Sequence, residues 1–205
     1  MQNSTLTRLL LWCGIAGPIL IIISTIWASV LMPGYSHIAN TVSQLASYGR
    51  QYPIIINIGF VLFGLLINGF AYGLYQVLGQ GRVSSFFLIG TMVFGTFILL
   101  LAFFRDYNEA SILPDEWEGQ LHKIFAQISL IGLLSAMLFF VKATLSRPGW
   151  HVIACITIIA ALAISVSSFA FLFLPASLQG LEQRIIYGIS ILWIVMASIK
   201  GLKRS

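Results

Sequence analysis

The fold is decided by long uncharged stretches such as Pro53–Leu78, which reads PIIINIGFVLFGLLINGFAYGLYQVL. An α-helix rises about 1.5 Å per residue, so about 20 apolar residues cross the hydrocarbon core of a bilayer. Five more stretches are comparably apolar: Leu9–Met32, Val83–Phe104, Trp117–Val141, His151–Leu174 and Leu178–Ile199. The sequence therefore predicts an all-α, polytopic membrane protein with six transmembrane helices.

The composition supports this class and excludes a soluble domain. Of the 205 residues, 59% are hydrophobic and 8% are charged, whereas a water-exposed surface needs far more charge. No connection is long enough for a separate domain, so we expect one membrane-embedded unit over residues 1–205. Basic residues occur as short flanks at helix ends, without the basic groove of a nucleic-acid-binding protein. Membrane lipids, and not nucleic acid, are the expected partners.

The charges are sorted between the two ends of the predicted bundle. With six spans, both termini share one side, and that side carries seven of the 11 Lys and Arg residues: Arg8, Arg82, Lys142, Arg147, Lys200, Lys203 and Arg204. The other side carries all six acids (Asp106, Glu109, Asp115, Glu116, Glu118 and Glu182) and four basic residues (Arg50, Arg105, Lys123 and Arg184). The positive-inside rule then predicts a plasma (inner) membrane protein with both termini in the cytoplasm.

The connection between the first two spans has a helical pattern of its own. Its polar residues recur at Ser36, Asn40, Ser43 and Ser47, and its apolar residues recur at Ile38, Val42 and Leu45. Both spacings are helical, so one face can rest on the bundle while the other faces water. We expect a short interfacial helix in this first outer loop, lying over the mouth of the bundle.

Polar residues at the outer end form the candidate site. The catalytic candidates are Ser43, Asp106 and His122, and the ligand-binding candidates are Arg50, Arg105, Glu118, Glu182 and Arg184. Arginine binds phosphate or carboxylate with two parallel hydrogen bonds, and an Asp–His pair can handle a proton. The sequence predicts an outward-facing polar pocket between helices two, three, four and six, which binds or transports a lipid head group or another small polar ligand.

Two other functions remain open from the residues alone. A metal-dependent membrane hydrolase at the outer leaflet could hold zinc with His37, Asp106, Glu118 and His122, although no H-E-x-x-H motif is present. A structural or partner-binding subunit needs no chemistry. For example, an acid at the start of a helix stabilises its dipole, and a terminal arginine can extend to head groups. Whether the protein is an enzyme stays open.

Three stretches resemble one known family. They are Pro33-Gly34-Tyr35-Ser36 leading to Ser43-Gln44-Leu45, then Phe104-x-Asp106 followed by Trp117-x-Gly119-x-Leu121-His122, and finally Gly180-Leu181-x-Gln183-Arg184. In order and spacing they resemble domain-of-unknown-function family 998, whose members are prokaryotic membrane proteins of about six helices. The resemblance implies that fold and draws attention to Ser43, Asp106, His122 and Arg184 as a set. It implies no particular reaction.

Overall fold

The computed structural model describes residues 4–47, 51–106 and 116–205. These residues form six α-helices, joined by turns and one short 3-10 helix, Ser43–Ala46. The α-helices are α1 (Ser4–Val30), α2 (Pro53–Leu78), α3 (Arg82–Leu100), α4 (Glu116–Thr144), α5 (His151–Phe171) and α6 (Ala176–Leu202). All six are long and apolar enough to cross a membrane, which confirms the predicted all-α, six-span architecture of a multi-pass membrane protein.

The six helices form a closed ring in chain order. Each helix packs against the next, and α6 packs back against α1. Side chains such as Val152, Ile159 and Val166 on α5 are largely exposed, as expected for a surface in contact with lipid. We call the end that carries the α1–α2 connection the loop end, and the opposite end, with both termini, the terminal end.

Polar side chains inside the ring bond to their own helix and, at some positions, to a neighbouring helix. The indole N–H of Trp193 on α6 donates to the hydroxyl of Thr157 on α5 at 2.9 Å, and both residues are buried. The amide of Asn68 on α2 donates to Thr96 on α3 at 3.2 Å. Hydrogen bonds of this kind hold membrane helices together, because hydrocarbon offers no competing partner. The Asn68 side chain therefore faces the neighbouring helix α3.

The α1–α2 connection differs from its prediction. Instead of one interfacial helix over residues 36–47, it has a turn around residues 37–39 and then the 3-10 helix Ser43–Ala46. Side chains compete for the backbone here. The hydroxyl of Ser36 accepts from the Ile38 N–H, and the Asn40 side chain accepts from the Ser36 N–H. Such local bonds replace the helical ones, so the helix does not propagate.

Candidate functional site

A buried serine–histidine pair lies at the loop end. Ser43 begins the 3-10 helix of the α1–α2 connection, and His122 lies in the second turn of α4. The Oγ atom of Ser43 is 2.9 Å from Nε2 of His122, and the two residues are only 5% and 3% exposed. The polar face of the predicted interfacial helix was expected to meet water. At Ser43 it instead points into the protein.

The second ring nitrogen of His122 fixes the direction of these bonds. Nδ1 lies 2.7 Å from the backbone carbonyl oxygen of Phe104, which can only accept a hydrogen bond. Nδ1 therefore carries a proton. In the neutral imidazole Nε2 is then an acceptor, and the Ser43 hydroxyl donates to it. The carbonyl itself is held in place, because the Phe104 ring packs edge-to-face on Trp117 and Phe125 of α4.

Arg184 of α6 forms the second part of the site. Its Nη2 donates to the hydroxyl of Tyr35 at 2.6 Å, and its Nε donates to Nδ1 of His37 at 3.2 Å. Its Nη1 donates to the carbonyl oxygens of Asn40 and Gly180, both at 2.8 Å. These four acceptors are neutral in charge. The guanidinium therefore fastens the α1–α2 connection to α6 while its positive charge is not cancelled by them.

The first turns of α6 receive this connection along a continuous seam. The Leu181 N–H donates to the Ile38 carbonyl at 2.8 Å, and the Gln183 side chain accepts from the Val42 N–H at 2.6 Å. Gly180 permits this approach, because a Cβ there would overlap the backbone of Asn40. A side chain at position 180 would thus push the connection away from the helix.

The ionisation of the loop residues follows from these contacts. His37 is exposed, yet its pKa is lowered by partial desolvation and by the Arg184 charge, so the imidazole is neutral at pH 7. Burial raises the pKa of the Tyr35 phenol, while Arg184 opposes the rise. The phenol therefore keeps its proton and donates it to the Thr41 carbonyl at 2.9 Å while accepting from Arg184.

Four other predicted site residues are described in the structure: Asp106, Arg105, Glu118 and Glu182. Asp106, half-buried after α3, is close enough to Tyr187 of α6 to act on its hydroxyl electrostatically, as Arg184 also does. It is not bonded to His122, whose ring nitrogens have other partners.

Arg105 is exposed, and Glu118 is half-buried. Glu182 and Arg184 do not form an ion pair within the described parts of the chain. Arg50 lies outside the described residues.

The proposed zinc ligands do not come together. Among the described residues, no three His, Cys, Asp or Glu side chains are placed to hold a metal ion. His37, Asp106, Glu118 and His122 all belong to that described part. Both nitrogens of His122 are already engaged, and Nδ1 of His37 accepts from Arg184. The donor geometry therefore does not fit the predicted metal centre.

The space at the loop end is smaller than the predicted pocket. A cavity of about 30 Å³ lies inside the ring, lined by apolar side chains with Tyr187 and Ser190. It can hold about one or two water molecules, whereas ligand sites usually exceed 300 Å³. A larger groove of about 220 Å³ opens at the ends of α1 and α2, beside Pro33, Leu45 and Tyr52. Of these two spaces, the larger is therefore the groove at the rim of the loop end.

Several functional groups were not among the sequence candidates. The Phe104 carbonyl is a backbone atom, and no residue pattern reveals it. Tyr35, Gly180 and Gln183 were visible only as parts of the family-like stretches. Gln183 and Arg184 contact residues that are more than 140 positions away in the chain. Local spacing in the sequence therefore could not pair them.

The structure thus brings the three family-like stretches to one place. The connection with Tyr35 and Ser43 contacts the segment Gly180–Arg184 on one side and His122 with Phe104 on the other. The family described as "Protein of unknown function (DUF998)" matches residues 15–200. Comparison with curated proteins and with solved structures gives no match. The matched range covers most of the chain and all three stretches, and the chain therefore belongs to the DUF998 family.

Proposed function

We propose that the loop end binds the anionic head group of a membrane lipid, with Arg184 and His37 as its contacts. The observation that carries this proposal is the state of Arg184. Its guanidinium is half-buried at the end of a membrane helix, and its four hydrogen-bond acceptors are all neutral. A positive charge in such a place attracts a phosphate or carboxylate, because the surrounding hydrocarbon screens it poorly.

Unused donors support the same ligand chemistry. A guanidinium has five N–H groups, and four are engaged by described residues, which leaves one on Nη2. The neutral His37 accepts at Nδ1, so its proton is on Nε2. His37 is exposed, so this N–H is accessible. The charged N–H on Nη2 suits an oxyanion, and the His37 N–H is a second exposed donor at the same end of the protein.

The interior of the ring favours binding over transport. Buried phenylalanines, among them Phe60, Phe63 and Phe94, fill the space between the helices. The cavity beside them is about 30 Å³, which is too small for a head group. A site at the rim needs no such path.

The proposed orientation places this rim at the outer leaflet of the plasma membrane. It rests on the charge count, with seven basic residues and no acid at the terminal end. A cysteine replacing the exposed Ile38 should react with a membrane-impermeant maleimide in intact cells, and one replacing Lys203 should not. The native Cys13 and Cys155 are replaced by serine beforehand. The reverse labelling would put the site on the cytoplasmic face.

The test is lipid binding to the purified protein in nanodiscs. Phosphatidylglycerol and phosphatidylcholine carry the same acyl chains, so native mass spectrometry reports preference for the anionic head group. Arg184→Gln should weaken phosphatidylglycerol retention about 10- to 100-fold, the range for one charged hydrogen bond. His37→Gln should weaken it about 3-fold, as expected for one neutral hydrogen bond.

The terminal end supplies matched controls. His151→Gln changes an exposed histidine at that end, and Arg147→Gln removes an exposed arginine. Neither should alter the preference as much as its loop-end counterpart. Equal retention of the two lipids by the wild type contradicts the proposal. So does a larger loss in the control variants. His37→Gln keeps the test valid if Arg184→Gln unfolds, because His37 is an exposed side chain.

A further inference from the structure

We propose that Ser43 and His122 form a nucleophile–base pair that cleaves an ester bond of a lipid at the loop end. This inference takes its substrate class from the proposed head-group binding, while its chemistry rests on separate atoms. Serine is a weak nucleophile unless a neighbouring base takes its proton, and imidazole is the usual base. The 2.9 Å contact between Oγ and Nε2 is within the required range.

The hydrogen-bond directions are those that the reaction needs. The Phe104 carbonyl holds the Nδ1 proton at 2.7 Å, so Nε2 presents its lone pair to the Ser43 hydroxyl. In serine hydrolases this third position is commonly a carboxylate, which orients the imidazole and stabilises its charged form. A backbone carbonyl provides the orientation, with a weaker electrostatic contribution. Phe104 is therefore a positioning residue that acts through His122.

The position of the pair in the fold keeps the contact between Ser43 and His122 away from water. The histidine is on a membrane helix, and the serine is on the connection that closes the loop end. Both are almost fully buried, so few water molecules compete for the imidazole. By contrast, Ser47 is equally buried on the same connection, and its hydroxyl has no partner among the described residues. Burial alone therefore does not pair a serine with a base.

The proposed reaction balances with water as the second reactant. Ser43 Oγ attacks the ester carbonyl carbon while its proton passes to His122 Nε2. The bond between this carbon and the alcohol oxygen breaks, and the imidazolium gives its proton to the leaving alcohol. Water then attacks the acyl-serine, His122 takes the proton of the water, and the proton returns to Ser43 as the carboxylic acid leaves. The net change is ester plus water to acid plus alcohol.

The test uses a fluorophosphonate probe on the full-length protein in nanodiscs. An activated serine attacks the phosphorus and releases fluoride, so peptide mass spectrometry locates the adduct. We expect an adduct at Ser43, none in Ser43→Ala, and labelling at least about 100-fold slower in His122→Gln, the lower range for a general base. Ser47→Ala should label like the wild type. Heat-denatured wild type should not label, which remains informative if His122→Gln does not fold.

The outcomes separate this inference from head-group binding. Absence of an adduct on Ser43 overturns the nucleophile assignment, and so does labelling that persists in His122→Gln or in denatured protein. Labelling of Ser43 without a preference for phosphatidylglycerol supports the pair and contradicts the head-group proposal. A preference for phosphatidylglycerol without labelling of Ser43 supports the head-group proposal and contradicts the nucleophile–base pair. When both hold, release of fatty acid from phosphatidylglycerol should be lost in Ser43→Ala and retained in Ser47→Ala.

Discussion

The two ends of the bundle use arginine in different ways. At the terminal end, Arg147 donates to the Leu78 carbonyl at 2.6 Å and bridges two short turns on the surface. At the loop end, Arg184 joins α6 to three groups on a connection about 145 residues away in the chain, and it also bonds to the Gly180 carbonyl of its own helix. The Arg147 contact caps the end of α2. The Arg184 contacts hold the α1–α2 connection against α6.

This difference shows which polar atoms of a membrane protein hold a defined local structure and which only mark its topology. The terminal-end turns are short and need only Gly or Pro residues and basic flanks, which topology explains. The loop-end connection is longer and is folded by side-chain bonds to α6 and α4. A site can be built there because the polar groups are held in fixed positions rather than solvated. The following predictions compare the two ends.

The largest expected effect is the loss of Arg184. Arg184→Gln should lower the free energy of unfolding by about 2–4 kcal/mol, because several acceptors lose a charged donor. Arg147→Gln at the terminal end should cost about 1 kcal/mol, since one exposed contact is lost. Denaturation by SDS in mixed micelles measures both. Similar losses of unfolding free energy in the two variants would contradict the claim that Arg184 holds more structure at its end of the bundle than Arg147 does.

The next effect is a clash within the seam. Gly180→Ala places a methyl group against the Asn40 backbone and should cost about 1–3 kcal/mol, the range for overpacking. Gly188→Ala, two turns later in the same helix, meets no atom within 4 Å and should be neutral or slightly stabilising. Hydrogen exchange should accelerate at the Val42 amide in Gly180→Ala alone. Unchanged exchange there would mean that the seam is not tightly closed.

A smaller effect distinguishes two serines of the connection. Ser43→Ala removes the hydrogen bond to His122 and should destabilise the protein by about 1 kcal/mol. Ser47→Ala removes a buried hydroxyl that has no partner in the described parts, so it should be neutral or stabilising. The same SDS titration applies. A greater loss of stability in Ser47→Ala than in Ser43→Ala would contradict the assignment of the stabilising hydrogen bond to Ser43.

The smallest effect is a pH dependence at His37. Its pKa lies below the ordinary 6.5, so the unfolded chain takes up the proton first as pH falls. The stabilisation from neutral His37 is complete above about pH 6.5 and is lost as pH falls through the unfolded and then the folded pKa. His37→Gln should flatten the decline of stability between pH 7 and 5 slightly, relative to the wild type. An identical slope in His37→Gln and in the wild type contradicts this role of His37.

The sequence predicted the membrane fold well, because apolar length is a direct physical requirement for spanning a bilayer. Pro53–Leu78 has the same bounds in the sequence and in the structure. The connection was less predictable. Its helical spacing was real, but Ser36 and Asn40 bond to their own backbone and stop the helix.

For the candidate site, the chemistry of the residues indicated which side chains lie at the loop end better than it indicated which atoms they contact. Ser43, His122 and Arg184 were predicted as candidates at one end, and the structure places all three there, while their roles stay predictions. An Asp–His pair was predicted, whereas the second partner of His122 is the carbonyl of Phe104. Backbone atoms and contacts across 140 residues leave no local pattern, so tertiary structure was needed to find them.

The most direct test of the loop-end site is the energetic coupling of Tyr35 and Arg184. Their contact of 2.6 Å joins the connection to α6, and a double-mutant cycle of Tyr35→Phe and Arg184→Gln isolates it. We predict a coupling of about 1–2 kcal/mol in SDS denaturation, with Tyr35→Phe and Arg147→Gln additive as the control. Additive losses for Tyr35 and Arg184 would contradict the fastening of the connection to α6, and with it the assembled site.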